Sequence, residues 1–338
     1  MIIDYRSDTV TKPTKGMQEA MFSAPVGDDV FGEDPSINDL EQLAADMFGM
    51  EAALYCPSGT MTNQIAIKCH TQPGDEVICD VSSHIYQYEG GGIASNSGAQ
   101  VKLISGARGL VTAEQVAESI NADDVHKART TLVSLENTSN RGGGSCYDLA
   151  EIKRIRQVCD EHGLMLHLDG ARLFNALVAK GESPKDHGQV FHSVSICLSK
   201  SLGCPVGSLV LGTNEFIRKA RRVRKAFGGG MRQAGYLAAA GIYAFKNNME
   251  RLAEDHQHAQ LLANALRKKD FVETVLPVET NIIIFSVKDR FDPKSLVAKM
   301  KEQNILWYAI SPTQVRIVTH LDISPDMIQK TITSIEAL

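Results

Sequence analysis

Short apolar runs alternate along this chain with stretches in which apolar residues recur every three or four positions. The runs, bounded by glycine, proline or polar clusters, predict buried strands over 52–56, 76–80, 101–105, 130–136, 164–168, 194–198 and 207–212. Helical spacing predicts helices between them. Thr14 caps one over 15–22, and Ser36 caps another whose inner stripe is Leu40, Leu43, Ala44, Met47 and Phe48, closed by Gly49. Further helices are expected over 61–70, 112–121 and 214–227. Another is capped by Asp148, with Glu151 at the capping-box position and Leu149, Ile152, Ile155, Val158 and Cys159 facing inward. Strands alternating with helices predict an α/β fold, a doubly wound and mostly parallel seven-stranded sheet. Residues 233–269 read as largely helical, carrying the chain out of this unit. Beyond Val272 short strands (282–287, 315–318) alternate with helices (293–303, 325–337), the pattern of a smaller α+β unit. The expected division is a large domain over 1–248, with an N-terminal arm, and a small C-terminal domain over 249–338.

Composition narrows the class. The chain has 338 residues, 43% hydrophobic and 22% charged, with a net charge of −5. No basic stripe suggests nucleic acid as a partner. Seven cysteines without a Cys-x-x-Cys pair fit reduced thiols, and scattered histidines argue against a catalytic metal. No apolar run is long enough to span a bilayer, and residues 1–6 lack a signal peptide's apolar core. A cytoplasmic protein without a membrane partner is expected.

Candidate chemistry gathers at predicted strand ends, where open α/β sheets bind ligands. The strand over 164–168 delivers Asp169, and the strand over 194–198 delivers Ser199 and Lys200. An acid and a lysine side by side suit pyridoxal 5'-phosphate (PLP): the lysine forms the Schiff base, and the acid keeps the pyridine nitrogen protonated. They equally suit an ordinary strand-end salt bridge. Ser58, Gly59 and Thr60 lie between a strand and a helix. That arrangement is either a phosphate cradle on the helix N-terminus or a plain capped turn. His84 follows another strand end, where an imidazole can lie on a flat cofactor or simply face solvent. Six basic residues over 214–227 form a solvated face or reach anions. No dinucleotide fingerprint, P-loop or Gly-x-Ser-x-Gly is present.

Eight ordered segments together resemble one family. They are Arg6-Ser-Asp-Thr-Val-Thr11, Gly27-Asp-Asp-Val-Phe-Gly-Glu-Asp-Pro35, Ser58-Gly-Thr-Met61, Glu136-Asn-Thr138, His167-Leu-Asp-Gly-Ala-Arg172, Leu198-Ser-Lys-Ser-Leu-Gly203, Gly228-Gly-Gly-Met-Arg-Gln233 and Arg316-Ile-Val-Thr-His-Leu-Asp322. The chain is similar to the low-specificity L-threonine aldolases, PLP enzymes of the aspartate-aminotransferase type I fold. The resemblance implies that Lys200 carries the cofactor and Asp169 meets the pyridinium nitrogen. It places His84 on the ring and Gly59 and Thr60 at the phosphate, aided by Lys225 and Arg232 of a neighbouring subunit. Arg172 serves both cofactor and substrate, and Ser7, Arg172 and Arg316 hold an amino-acid carboxylate. The implied reaction is retro-aldol scission of L-threonine, L-allo-threonine or a related β-hydroxy-α-amino acid to glycine and an aldehyde. A β-eliminating lyase, an aminotransferase or a non-catalytic binder on the same fold are the alternatives. A homo-oligomer, a dimer of dimers, is implied as well. Two positions depart from the family. Ser139 stands for a histidine near the substrate hydroxyl, leaving His84 or a water as base, and Phe31 stands for a tyrosine. Both changes imply a less polar pocket, open to bulkier or more apolar substrates of the phenylserine type.

Overall fold

The computed structural model describes residues 2–338. Seven strands form the large sheet in the spatial order Ala52–Cys56, Ser208–Gly212, Ser193–Cys197, Met165–Gly170, Arg129–Glu136, Asp75–Asp80 and Gln100–Ile104. The strand Ser208–Gly212 runs antiparallel to both neighbours, and the other neighbouring pairs are parallel. The central strands are buried on both faces, which is why they read as continuous apolar runs. Helices cover both faces, and the inner stripes of Pro35–Phe48 and Leu149–Glu161 supply the main core.

A second sheet is antiparallel and four-stranded, in the order Tyr308–Ala309, Gln314–Val318, Ile282–Val287 and Val272–Val275. Leu252–Leu266, Pro293–Glu302 and Pro325–Glu336 pack on it, and Trp307 stands edge-on to Phe285 at 5.8 Å.

The N-terminal segment packs against the second core. Ile3–Asp4 pairs in parallel with Ile305–Leu306, and Ile3 and Tyr5 are buried in the second core. Tyr5 Oη lies 2.9 Å from Thr331 Oγ1. The chain then runs to the strand ends of the large sheet, where Thr11 Oγ1 donates to the Lys200 carbonyl at 2.9 Å. One short segment thus ties the second core to the residues that matter for chemistry.

Local expectations shift in four places. Asp34, not Ser36, caps the second helix: its carboxylate accepts from Ile37 N at 3.1 Å, Pro35 takes the first helical position, and Ser36 Oγ donates to the Pro25 carbonyl. Asp148 and Glu151 form no capping box, because Lys180 Nζ donates to Asp148 and Ala113 N donates to Glu151. The stretch over 233–269 is two helices, Gly235–Asn247 and Leu252–Leu266. The helix over 112–121 spans Ala113–Ser119 with Thr112 as its cap. All seven cysteines are free and buried.

Candidate active site

Parallel pairing sets Asp169 beside Glu136 at the carboxyl end of the large sheet. The neighbouring strand ends at Cys197 and releases Lys200 into the same space. A chamber of about 160 Å³ is lined by Ser58, Gly59, Thr60, Asn63, His84, Asp169, Ala171, Cys197, Ser199 and Lys200. Asp169 and Lys200 do not pair; Lys200 Nζ has Cys197 Sγ, at 3.7 Å, as its hydrogen-bond partner. The strand-end salt bridge is therefore not what this geometry makes. A chamber lies where that bridge would have been.

At the far end the helix Gly59–His70 begins. Ser58 Oγ accepts from Met61 N, while the N–H groups of Gly59 and Thr60 have no carbonyl one turn earlier in the helix. They and the helix dipole face an anion site. A Cβ at Gly59 would meet Cys197 Sγ at 2.5 Å, so the backbone lies against the sheet only because residue 59 has no side chain.

Behind Asp169 runs a chain of buried polar groups. Asn63 Nδ2 donates to Asp169 Oδ2 at 2.8 Å and to Glu89 Oε1 at 2.9 Å. Asn63 Oδ1 is bonded to His167 Nε2 at 3.2 Å, and His167 Nδ1 to Ser193 Oγ at 2.8 Å, which also meets His70 Nε2 at 2.8 Å. Burial lowers His167 to about 4 and His70 to about 3, so both are neutral near pH 7. One consistent set of protons follows: His70 donates to Ser193, Ser193 to His167, His167 to Asn63, and Asn63 to both carboxylates. Asp169 Oδ1 accepts from Ala171 N. The acid is thus held rigidly by donors. His84, Glu89 and Asp169 also stand close enough to ligate a cation. The Asn63 amide between the two acids supplies donors in that place instead.

His84 borders both this chamber and an outer one of about 260 Å³. Its Nδ1 lies 3.0 Å from Glu89 Oε1, and its backbone N–H donates to Glu136 Oε2 at 2.6 Å. Burial depresses the imidazole, but the Glu89 hydrogen bond and the Asp169 and Glu89 charges outweigh it and raise its pKa. Burial, then the Asp169 charge, push Glu136 up to about 7.

The outer chamber contains Ser7, Arg172, Arg316 and Lys200, with Tyr88, Asn140, Arg141 and Tyr308 as further walls. Arg172 is clamped by Asp8 through bonds of 2.6 and 2.7 Å, and both side chains are buried. Burial would raise Asp8, yet the Arg172 and Lys200 charges hold its carboxyl far below the usual range. Asp8→Asn removes that counter-charge and is expected to cost about 3–5 kcal/mol of stability at pH 7. A depressed carboxylate contributes stability above its ordinary pKa of 3.8 and loses it as pH falls through the folded value. The gap between wild type and variant in urea melts therefore narrows below pH 3.8.

Residues 4–290 match the family described as beta-eliminating lyase. The chain is 46% identical over 328 residues to the low specificity L-threonine aldolase of Escherichia coli (strain K12), covering 97% of this chain and 96% of that one. The chain belongs to the low-specificity L-threonine aldolase family. The yeast Saccharomyces cerevisiae (strain ATCC 204508 / S288c) has a relative of the same name, 40% identical over 333 residues, covering 97% and 84% of the two chains. Among solved structures, a threonine aldolase of Leishmania major is similar with a TM-score of 0.87 at 20% identity over 99% of both chains. An SPT solved with PLP gives 0.74 at 18% identity, over 99% of this chain and 87% of that one. At such identities these two likenesses speak for the fold.

The inner chamber of this aldolase-family chain fits PLP. An amine, a carboxylate held by donors and two free helix-terminal N–H groups face one cavity, which is the donor set a cationic ring with a phosphate tail requires. Lys200, Asp169, His84, Gly59 and Thr60 all stand in that chamber, and Ser7, Arg172 and Arg316 all line the outer one. Other expected residues lie elsewhere. Arg172 faces the outer chamber and not the inner one, because Asp8 holds its guanidinium there. Ser139 lines neither: it is 2% exposed, its Oγ accepts from Gly142 N at 3.2 Å, and it is packed beneath Gly109. Its neighbours Asn140 and Arg141 reach the chamber in its place. Lys225 and Arg232 line neither chamber of their own chain; Arg232 pairs with Asp28 at 2.9 Å. Phe31 is 74% exposed and lines neither chamber of its own chain. Sequence reading missed Asp8, Asn63, Glu89, Glu136 and Arg141. Asp8 and Glu136 were the most findable, each being the one acid in its family segment, Arg6-Ser-Asp-Thr-Val-Thr11 and Glu136-Asn-Thr138.

Proposed function

We propose that this chain is a PLP-dependent aldehyde-lyase that cleaves L-threonine, L-allo-threonine and related β-hydroxy-α-amino acids to glycine and an aldehyde. The supporting observation is the meeting of the two chambers at Lys200 and His84, which sets a cationic carboxylate clamp against the cofactor's amine. When bound, PLP supplies an electron sink conjugated to the substrate's Cα. The residues of this chain do the rest. Arg316 and Arg172 would orient the α-carboxylate and Ser7 would add a hydroxyl, which fixes the rotation of the substrate about its Cα. Asp169, held by Asn63 and Ala171, keeps a proton on the pyridine nitrogen. His84 lines both chambers and its Nδ1 is engaged by Glu89, which leaves Nε2 to take the β-hydroxyl proton and return one at Cα.

Replacing His84 by Asn is expected to lower kcat by about 10²–10⁴-fold, with less change in KM. Because Glu89 raises His84, kcat/KM should fall off on the acid side at a pH above 6.5, and Glu89→Gln should move that limb to lower pH. A pH–rate profile that is identical in the variant would remove His84 as the base. Feeding L-threonine and measuring acetaldehyde and glycine tests the reaction. Ammonia with a 2-oxo acid would identify β-elimination instead.

Several wider readings go with this one. The division into domains over 1–248 and 249–338 is supported by two cores that it separates except for Ile3 and Tyr5, which lie in the second, and Leu252, which lies in the first. Exposed Phe22, Val30 and Phe31 suit a homo-oligomer, a dimer of dimers, in which Lys225 and Arg232 approach a neighbour's phosphate site. Among the described residues no helix is long and apolar enough to cross a membrane. We place the protein in the cytoplasm, acting on free amino acids, with no nucleic-acid partner.

A further inference from the structure

The outer chamber holds more positive charge than one amino acid can balance. Arg141, Arg172, Arg316 and Lys200 line it, and no acidic side chain does. Lys200 is committed to the cofactor, and Arg172 is matched by Asp8. Arg316 has no carboxylate partner. It donates to Asn140 Oδ1 at 2.9 Å and to the Arg6 carbonyl at 3.1 Å, and its buried Nε has no acceptor. One α-carboxylate placed against Arg316 and Arg172 answers that.

Arg141 is left over. Neutral acceptors alone hold it: Nε donates to Tyr88 Oη at 2.5 Å and Nη1 to the Ile310 carbonyl at 3.3 Å, with the guanidinium 5.3 Å from the Tyr88 ring centroid. Tyr88, also tilted against His84 at 5.5 Å, anchors it beside the reacting end of the chamber. The excess charge is felt across the site. Burial first, then the Arg172 and Arg141 charges, lower Arg316 to about 10. A substrate with one carboxylate and an apolar β-substituent would expel water around Arg141 and offer it nothing.

We infer that Arg141 is the subsite for a second carboxylate carried on Cβ, so that the chain takes β-hydroxy amino dicarboxylates of the 3-hydroxyaspartate type. The inference rests on the aldolase reading above and names the substrate class of the same site. The planar fork of Arg141 suits a carboxylate placed directly on Cβ. The products are glycine and glyoxylate. The Cα–Cβ bond breaks with its electron pair left on the Cα side, the β-hydroxyl loses its proton to the base and becomes the glyoxylate carbonyl, and a proton added at Cα completes glycine. No oxidant or reductant is consumed.

The test compares the holoenzyme with Arg141→Gln and Arg141→Lys on the L-3-hydroxyaspartate diastereomers and on L-threonine. Wild type is expected to favour a 3-hydroxyaspartate in kcat/KM by about 10-fold or more. Arg141→Gln should lower the ratio of the two kcat/KM values by about 100-fold, and Arg141→Lys should restore part of it. Binding gives a readout independent of turnover. By calorimetry, L-aspartate should bind wild type more tightly than L-2-aminobutyrate, and Arg141→Gln should erase that preference. A wild-type preference for threonine, or a ratio unmoved by Arg141→Gln, overturns the inference. If neither substrate is cleaved, the aldolase reading fails; a persisting Arg141-dependent preference for L-aspartate would then still support the subsite, and its absence would sink both.

Discussion

Lys200→Ala is expected to abolish L-threonine cleavage, with a loss on the order of 10⁴-fold in kcat/KM, while the protein keeps its fold and still holds PLP. The fold should survive because Lys200 makes no ion pair and its one side-chain partner is the distant Cys197 Sγ. Its backbone is held independently by Thr11. Cofactor retention should survive because Asp169, His84 and the helix terminus at Gly59 and Thr60 face the chamber without help from the lysine. On the role proposed for Lys200, what should go is the covalent link and the amine that hands the cofactor to an incoming amino acid. Equilibrium dialysis of PLP and its visible absorbance separate the two effects. Retained PLP with no lysine-linked band is the expected outcome, and an unchanged band in the variant would show that another group carries the cofactor.

Asp169→Ala is expected to lower kcat by about 10²–10³-fold and to weaken PLP binding, even though the lysine remains. Asp169 is 2% exposed and, among the described residues, is held by neutral donors and makes no ion pair. Its Oδ2 accepts from Asn63 and its Oδ1 from Ala171. A carboxylate held so rigidly, and so buried, has a large effect on whatever proton faces it, because little solvent screens the pair. Asp169→Asn keeps the volume and loses the charge, so it should resemble Asp169→Ala in kcat rather than wild type. By contrast Thr60→Ala removes one hydrogen bond among several at the phosphate end and is expected to cost less than about tenfold. Measuring kcat at saturating PLP distinguishes lost chemistry from lost cofactor. Should Thr60→Ala prove the more damaging, the ring's orientation in the chamber would have to be revised.

Much of the scaffold could be read from the chain because its signals are local. Strand runs over 52–56, 130–136 and 194–198 coincide with or lie within a residue of the observed strands, since burial on both faces leaves no polar alternation to confuse them. Ser36 shows the limit. Several residues near Pro35 are acceptable caps, and the choice of Asp34 is made by Gly235 N, which donates to its other oxygen from a remote helix. Ser139 shows the same limit at the site: a substitution in a motif located the loop, but which of its side chains enters the chamber depends on how it packs beneath Gly109.

The order of motifs and the local apolar patterns alone determined the family, the mostly parallel sheet, and the delivery of Asp169 and Lys200 to the same end of it, because each rests on residue type and on short spacing that no distant contact can alter. Only the tertiary structure decided that the N-terminal segment crosses from the second core to clamp Arg172 through Asp8, and that Arg141 stands in the chamber without an acid. These are contacts between segments far apart in the chain. Charge balance in a cavity is a property of everything that closes around it, and it is written in no single stretch of residues.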